Sequence, residues 1–482
     1  MPRKEKGYLK KSQNKEFARV TWAFVLLFLV MMGYLVYFNL FQAADIVNNP
    51  FNPRQDAFAK RVIRGRIVDQ NGHVLAHTEV GEGGNTRRSY PYGAAFGHVI
   101  GYSLPGVRST LGLEMTENFT LLTSNSFFLE QLQNDFLGRK NIGDTVETTL
   151  DRDLQLAAVN ALGGHHGAVL VMEANTGRIR TMVSAPSFDP NTVDVTIDAL
   201  FQDEVNSPLL NRVTQGLYAP GSIFKTVTLL EYMRQVSGYQ DFSYQCFGSF
   251  TMYDTTIACF NHTAHGRVDV GSAFAHSCNG AFIEMGLRLN LTDFQATGQE
   301  LLFNQPLPTV LESSRSSFAV NADTGVAEQM MTAMGQGQTM VSPYHMGLIT
   351  AAIANDGVLM EPFLVERVTN HTGSEIRSTI PQVYRELMTA SEASRLREYM
   401  RQVVTDGTGR WIADAPYVVG GKTGTAEVGE AGAMRSHSWF MGHTNIRGNE
   451  LVIVIVIEGL ATGDETRAVP LVRQILDAYY YR

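Results

Sequence analysis

The hydrophobic pattern opens with one unbroken run, VTWAFVLLFLVMMGYLVYFNLF, which carries no charge from Val20 to Phe41. At a helical rise of about 1.5 Å per residue such a run crosses a hydrocarbon layer of about 30 Å, so one transmembrane helix is expected over 20–41. Residues 45–150 mix short β-like apolar runs with Gly, Asn and Arg and lack sustained helical periodicity, which predicts a small β-rich, non-catalytic module. At Asp151 the texture changes. In DRDLQLAAVNAL a capping Asp precedes Leu154, Ala157, Ala158 and Leu162 at helical spacing, and GAVLVMEANTGRIRTMVSA then reads as strand, tight turn at Asn175-Thr176-Gly177, and returning strand.

Roughly 190–410 reads as helical segments and loops, including PYHMGLITAAIANDG, a buried helix ended by Gly357. Strand patterns return near the end in VVGGKTGTAE, HSWFMGH and LVIVIVIEG, and VPLVRQILDAYYY closes the chain as a helix. Strands at both ends with helices between them imply an α+β domain over 151–482. Its one antiparallel sheet is assembled from both ends, flanked by helices, with a helical lobe inserted. An active site is expected at the seam between sheet and lobe.

Charge decides orientation. Arg3, Lys4, Lys6, Lys10, Lys11, Lys15 and Arg19 face only Glu5 and Glu16 in the first nineteen residues, so this tail is expected in the cytoplasm and everything after Phe41 outside. The apolar run is long and bulky, and Ala43-Ala44 is a poor cleavage site, which favours an uncleaved anchor over a cleaved signal. A net charge of −8 with scattered basic residues excludes a nucleic-acid face. The three cysteines, Cys246, Cys259 and Cys278, cannot all pair; Cys246 and Cys259 are the candidate disulfide, and three buried thiols are the alternative.

Three short motifs carry candidate chemistry. In YAPGSIFKTVTLLEYM, Pro220-Gly221 makes a turn and Ser222 opens a helix with Lys225 one turn on, where the two side chains can touch. A lysine whose pKa is depressed by burial can take the serine proton, and the helix N-terminus favours developing negative charge. Ser277-Cys278-Asn279 precedes another apolar helix; its serine suits a proton relay and its asparagine a substrate amide. Gly421-Lys422-Thr423-Gly424-Thr425 lies on a strand, where Lys422 and Thr425 would face a carboxylate. The Thr425 and Ser222 amides would form an oxyanion hole there. Each motif alone has an ordinary structural explanation, such as a serine N-cap with a surface lysine. The ordered set on helix, loop and terminal strand is specific.

With RGRIVDQNGHVLA, YPYGAAFGHVIGY, Gly112-Leu113-Glu114, TTLDRDLQ, SAPSFDPN, HGRVDV, SPYHM and HSWFMGH, that set resembles the monofunctional class B penicillin-binding proteins from about residue 61 onward. The resemblance implies a penicillin-binding, β-lactamase-like transpeptidase fold and a peptidoglycan D,D-transpeptidase inhibited by β-lactam antibiotics. Ser222 would be the nucleophile, Lys225 its base and Ser277 and Asn279 the relay and substrate amide, with Lys422, Thr423, Gly424 and Thr425 lining the donor-peptide strand. Stem peptides would be the substrates, and a polytopic glycan polymerase the partner, contacted through the span and the module. No cofactor is implied. A β-lactamase of the same fold would need an E-x-x-L-N-type deacylating segment, which is not evident; a D,D-carboxypeptidase and a non-enzymatic scaffold also compete with the transpeptidase as functions of such a chain. His98, His265, His276 and His437 lack ligand spacing on one helix face and are expected to be structural, with no metal. Glu427 and Glu458 are expected to be solvated or hydrogen-bonded, and Trp439 and Phe440 to fill the core.

Overall fold

At the centre of the molecule is a five-stranded antiparallel sheet in the order Val419–Val428, Arg435–Thr444, Leu451–Leu460, Gly167–Glu173, Ile179–Ala185. The structure is a computed structural model and describes residues 6–38, 61–104, 111–417, 419–429, 435–444, 450–461 and 467–481. The strand Leu451–Leu460 sits in mid-sheet, as its β-branched run predicts, with seven consecutive residues buried from Leu451 to Ile457. One face is covered by Arg152–Leu162 and Ala468–Tyr480, whose apolar stripes share a core with Val169, Val171, Ile453 and Ile455. Asp151 caps the first of these helices by accepting from the Leu154 amide, and Gly163 ends it in the left-handed conformation. The other face packs on Pro343–Ala354, a helix buried at every position.

The lobe inserted between the second and third strands in sequence contains the helices Lys225–Gln235, Asn279–Leu287 and Ala390–Thr405. It holds more β structure than the sequence suggests: a hairpin of Ser249–Met252 with Thr255–Ala258, the pair Tyr244–Cys246 and Gly266–Val268, and strands Val365–Thr369 and Glu375–Ser378. The last two do not join the central sheet. They extend the sheet of the N-terminal module, whose order is Glu375–Ser378, Val365–Thr369, Thr145–Thr148, Ile67–Val68, Val74–Val80, Thr86–Ser89. The module expected over 45–150 therefore shares a sheet with residues more than two hundred positions away. Its first residues, 45–60, lie outside the described ones.

Inside the module Glu114 is fully buried between two arginines: Arg64 Nε donates to one carboxylate oxygen at 2.6 Å and Arg88 Nε to the other at 2.7 Å. Burial opposes the charge, but Arg64 and Arg88 outweigh it and hold the carboxyl below its ordinary range.

The described residues 6–38 belong to a separate unit. Its helix Lys6–Tyr37 contains a 23-residue stretch, Lys15–Tyr37, with an 18-residue window of mean hydropathy 2.1, long and apolar enough to cross a membrane. The last residues of the expected span, 39–41, lie outside the described ones.

Candidate active site

Ser222 sits in a tight turn, Gly221–Phe224, that runs directly into the helix Lys225–Gln235. Gly221 has φ +55°, and a Cβ there would lie 2.5 Å from the Thr425 carbonyl oxygen, so only glycine lets the turn touch the strand Val419–Val428. The Gly221 amide donates to the Gly335 carbonyl at 2.8 Å, which fixes the turn from the other side. The half-buried Ser222 is thereby placed at the expected seam of sheet and lobe.

Lys225 is fully buried. Its Nζ donates to the Ser277 carbonyl oxygen at 2.8 Å, to Ser277 Oγ at 3.1 Å and to Asn279 Oδ1 at 2.7 Å. Three acceptors for three protons describe an ammonium, and Ser222 is not among them. Burial lowers the Lys225 pKa to about 8, while Cys278 and Cys259 act in the opposite sense. Ser277 is held at φ +56°, which aims both its carbonyl and its hydroxyl at the lysine. Asn279 starts the next helix, and its amide nitrogen donates to the Ala258 carbonyl at 2.7 Å, so both ends of its side chain are engaged.

Lys422 is also fully buried, and its Nζ donates to the Thr423 carbonyl at 2.9 Å. Burial, then the nearby Lys225 cation, push its pKa well below the ordinary lysine value. Strand alternation places Lys422 and Gly424 on one face and the half-buried Thr423 and Thr425 on the other. Lys422 and Thr425, expected to face one carboxylate together, therefore lie on opposite faces of the strand. Gly424 faces the Ser222 turn, where a Cβ would meet Ile223 at 3.0 Å.

Several groups around the site have no signal in the motifs. Phe282 and Phe274 present their rings to the Lys225 and Lys422 ammonium groups, at 5.5 and 5.6 Å from the centroids. Thr408 shares a 2.5 Å hydroxyl contact with Thr423. The phenylalanines flank Ser277-Cys278-Asn279 closely in sequence, but nothing in their type distinguishes them from core residues.

Away from the three motifs, Glu458 accepts from Arg212 at 2.8 Å and from the Tyr218 hydroxyl at 2.5 Å, Glu427 is exposed, and Trp439 and Phe440 are buried. Cys246 and Cys259, the candidate disulfide, are free thiols with sulfurs 3.7 Å apart. His265 lies beside the three cysteines: its ring nitrogen and the sulfurs of Cys246, Cys259 and Cys278 are all within 4.8 Å of one another.

The chain matches the penicillin-binding protein transpeptidase domain over residues 167–477 and the penicillin-binding protein A dimerisation domain over 64–146. It is 30% identical over 471 residues to the peptidoglycan D,D-transpeptidase PbpA of Mycolicibacterium smegmatis, across 92% of this chain and 94% of that protein. Among solved structures it is similar to the ceftriaxone acyl-enzyme of penicillin-binding protein A from M. tuberculosis. That match has a TM-score of 0.79 and 25% identity, and covers 88% of this chain and 100% of that one. The D,D-transpeptidase domain of a peptidoglycan glycosyltransferase from Eggerthella lenta matches with a TM-score of 0.77 and 29% identity, over 87% of this chain and 99% of that one.

Proposed function

The chain belongs to the penicillin-binding protein transpeptidase family and is a serine-type peptidoglycan D,D-transpeptidase, in which, we propose, Ser222 carries the acyl group and Lys225 is its base. The observation that carries the assignment is a fully buried lysine one turn beyond a helix-opening serine, bonded to both polar residues of the second motif.

In the first half-reaction Ser222 Oγ attacks the carbonyl carbon between the two terminal D-alanines of a donor stem peptide, and its proton passes to neutral Lys225. The oxyanion is met by the Ser222 and Thr425 amides. The C–N bond then breaks, and the departing D-alanine amine takes a proton that Ser277 relays from Lys225. In the second half-reaction an amine of a neighbouring stem peptide attacks the ester and loses its proton by the same route to Ser222 Oγ. Thr423 and Thr425, with Gly424 allowing close approach, hold the donor as an added edge strand. A β-lactam acylates the same serine and leaves no departing D-alanine.

We assign the span 20–41 and the module, each by itself, as the segments that contact a polytopic glycan polymerase. The basic tail of residues 1–19 stays in the cytoplasm, and the catalytic domain of 151–482 works outside it.

Fluorescent penicillin labelling of the full-length protein tests the nucleophile. Wild type should label stoichiometrically and Ser222→Ala not at all, with thermal unfolding unchanged within about 0.5 kcal/mol because the Ser222 hydroxyl caps no helix. A labelled Ser222→Ala protein would end the assignment.

A further inference from the structure

Cys246, Cys259, His265 and Cys278 come from four segments: the end of strand Tyr244–Cys246, the residue after Thr255–Ala258, the residue before Gly266–Val268, and the residue between Ser277 and Asn279. They converge until their three sulfurs and one ring nitrogen lie within 4.8 Å of one another, with the cysteines buried and His265 half-buried. Cys246 Sγ is 3.7 Å from Cys259 Sγ and 3.5 Å from His265 Nδ1, and Cys259 Sγ is 4.0 Å from Cys278 Sγ. A disulfide needs a sulfur–sulfur distance of about 2.05 Å. A tetrahedron built on metal–sulfur bonds of about 2.3 Å and a metal–nitrogen bond of about 2.0 Å has edges of about 3.8 Å between sulfurs and about 3.5 Å from sulfur to nitrogen. The three separations given above match those edges, and the other three lie within 4.8 Å.

The surroundings suit thiolates as well as the spacing does. The Gly248 amide donates to Cys246 Sγ at 3.4 Å. Backbone donors of this kind stabilise negative sulfur. Soft sulfur ligands with one imidazole, in tetrahedral array, select zinc over the hard divalent cations.

We propose that these four residues bind one zinc ion in a closed Cys₃His site that anchors the Ser277–Asn279 loop. Three thiol protons leave for solvent on binding, so Zn²⁺ with three thiolates and a neutral imidazole carries a net charge of −1. Four protein ligands leave no open position, which makes the ion structural. Its negative charge lies beside the buried Lys225, whose bonding partners Ser277 and Asn279 are the two chain neighbours of Cys278. The catalytic meaning of this anchoring rests on the roles assigned above to Ser277 and Asn279; the metal site itself does not.

The test uses the full-length protein, purified without chelators or added metal. Elemental analysis should find about one zinc per chain, and cobalt exchange should give the thiolate charge-transfer and strong d–d bands of a tetrahedral centre. Cys246→Ser and His265→Ala should each lose the ion. His276→Ala, which removes the exposed ring stacked 6.1 Å from His265, should keep it. Chelation should slow penicillin acylation by roughly tenfold or more, and zinc should restore it. Ser222→Ala should keep zinc while losing acylation, which separates a failed nucleophile assignment from a failed metal site. If Cys246→Ser does not fold, the zinc content and cobalt spectrum of the wild type decide. Three free thiols without metal, a Cys246–Cys259 disulfide in non-reduced peptides, or zinc retained in both ligand variants would overturn the site. Zinc whose removal leaves acylation unchanged would overturn the anchoring.

Discussion

The burial of Lys225 gives the reaction its pH dependence. A base must be neutral, and with a pKa of about 8 only about a tenth of the lysine is neutral at pH 7. Acylation by a penicillin should therefore rise close to tenfold per pH unit below about 8 and level off above it, as measured by stopped-flow. A flat profile between pH 6 and 8 would remove Lys225 as the base. Lys225→Ala should slow acylation by about 10² or more. It should also cost about 1–3 kcal/mol in chemical denaturation, because Ser277 and Asn279 lose a buried donor.

Elements meet at this site through backbone, and at Gly221 the turn meets the strand Val419–Val428 directly. Gly221→Ala would force a Cβ into the Thr425 carbonyl while occupying positive φ, so a loss of about 1–3 kcal/mol in stability is expected, with acylation slowed as Ser222 and Thr425 separate. Normal acylation by that variant would show that the turn and strand need not touch. The helices and strands that build this seam were legible because their signals are local: Asp151 before a helical stripe, the β-branched run Leu451–Leu460, and serine and lysine one turn apart. Pairings between distant segments were not. Val365–Thr369 bonds to Thr145–Thr148, and a five-residue strand whose partner lies over two hundred positions away has no pattern of its own. The Cys₃His cluster escaped for the same reason, since its ligands come from four segments while the expected signature places two on one face. Lys422 was identified as a site residue, but strand alternation turns it away from Thr423 and Thr425.

At the scale of the whole molecule, the Glu114 cluster ties the module together. A carboxylate whose folded pKa is depressed contributes stability above its unfolded range, near 4.3, and loses that contribution as pH falls through the folded value. The urea midpoint of the wild type should drop as the pH falls below about 4.3. Glu114→Gln should cost about 3–5 kcal/mol at neutral pH by leaving Arg64 and Arg88 buried without their counter-charge, and should flatten the acid limb. Orientation is checked by reporters fused after Arg482: alkaline phosphatase should be active there, and a reporter that works only in the cytoplasm should be silent.

The sheet shared between Thr145–Thr148 and Val365–Thr369 has a consequence for how such proteins can be cut and recombined. A fragment begun at Asp151 would carry Val365–Thr369 with one edge bared, an invitation to aggregate. The shortest fragment that keeps the ladder whole starts just before Ile67. A chimera that takes its front half from a relative would have to import residues 365–378 along with it, so the two halves can be exchanged between lineages only as a matched pair.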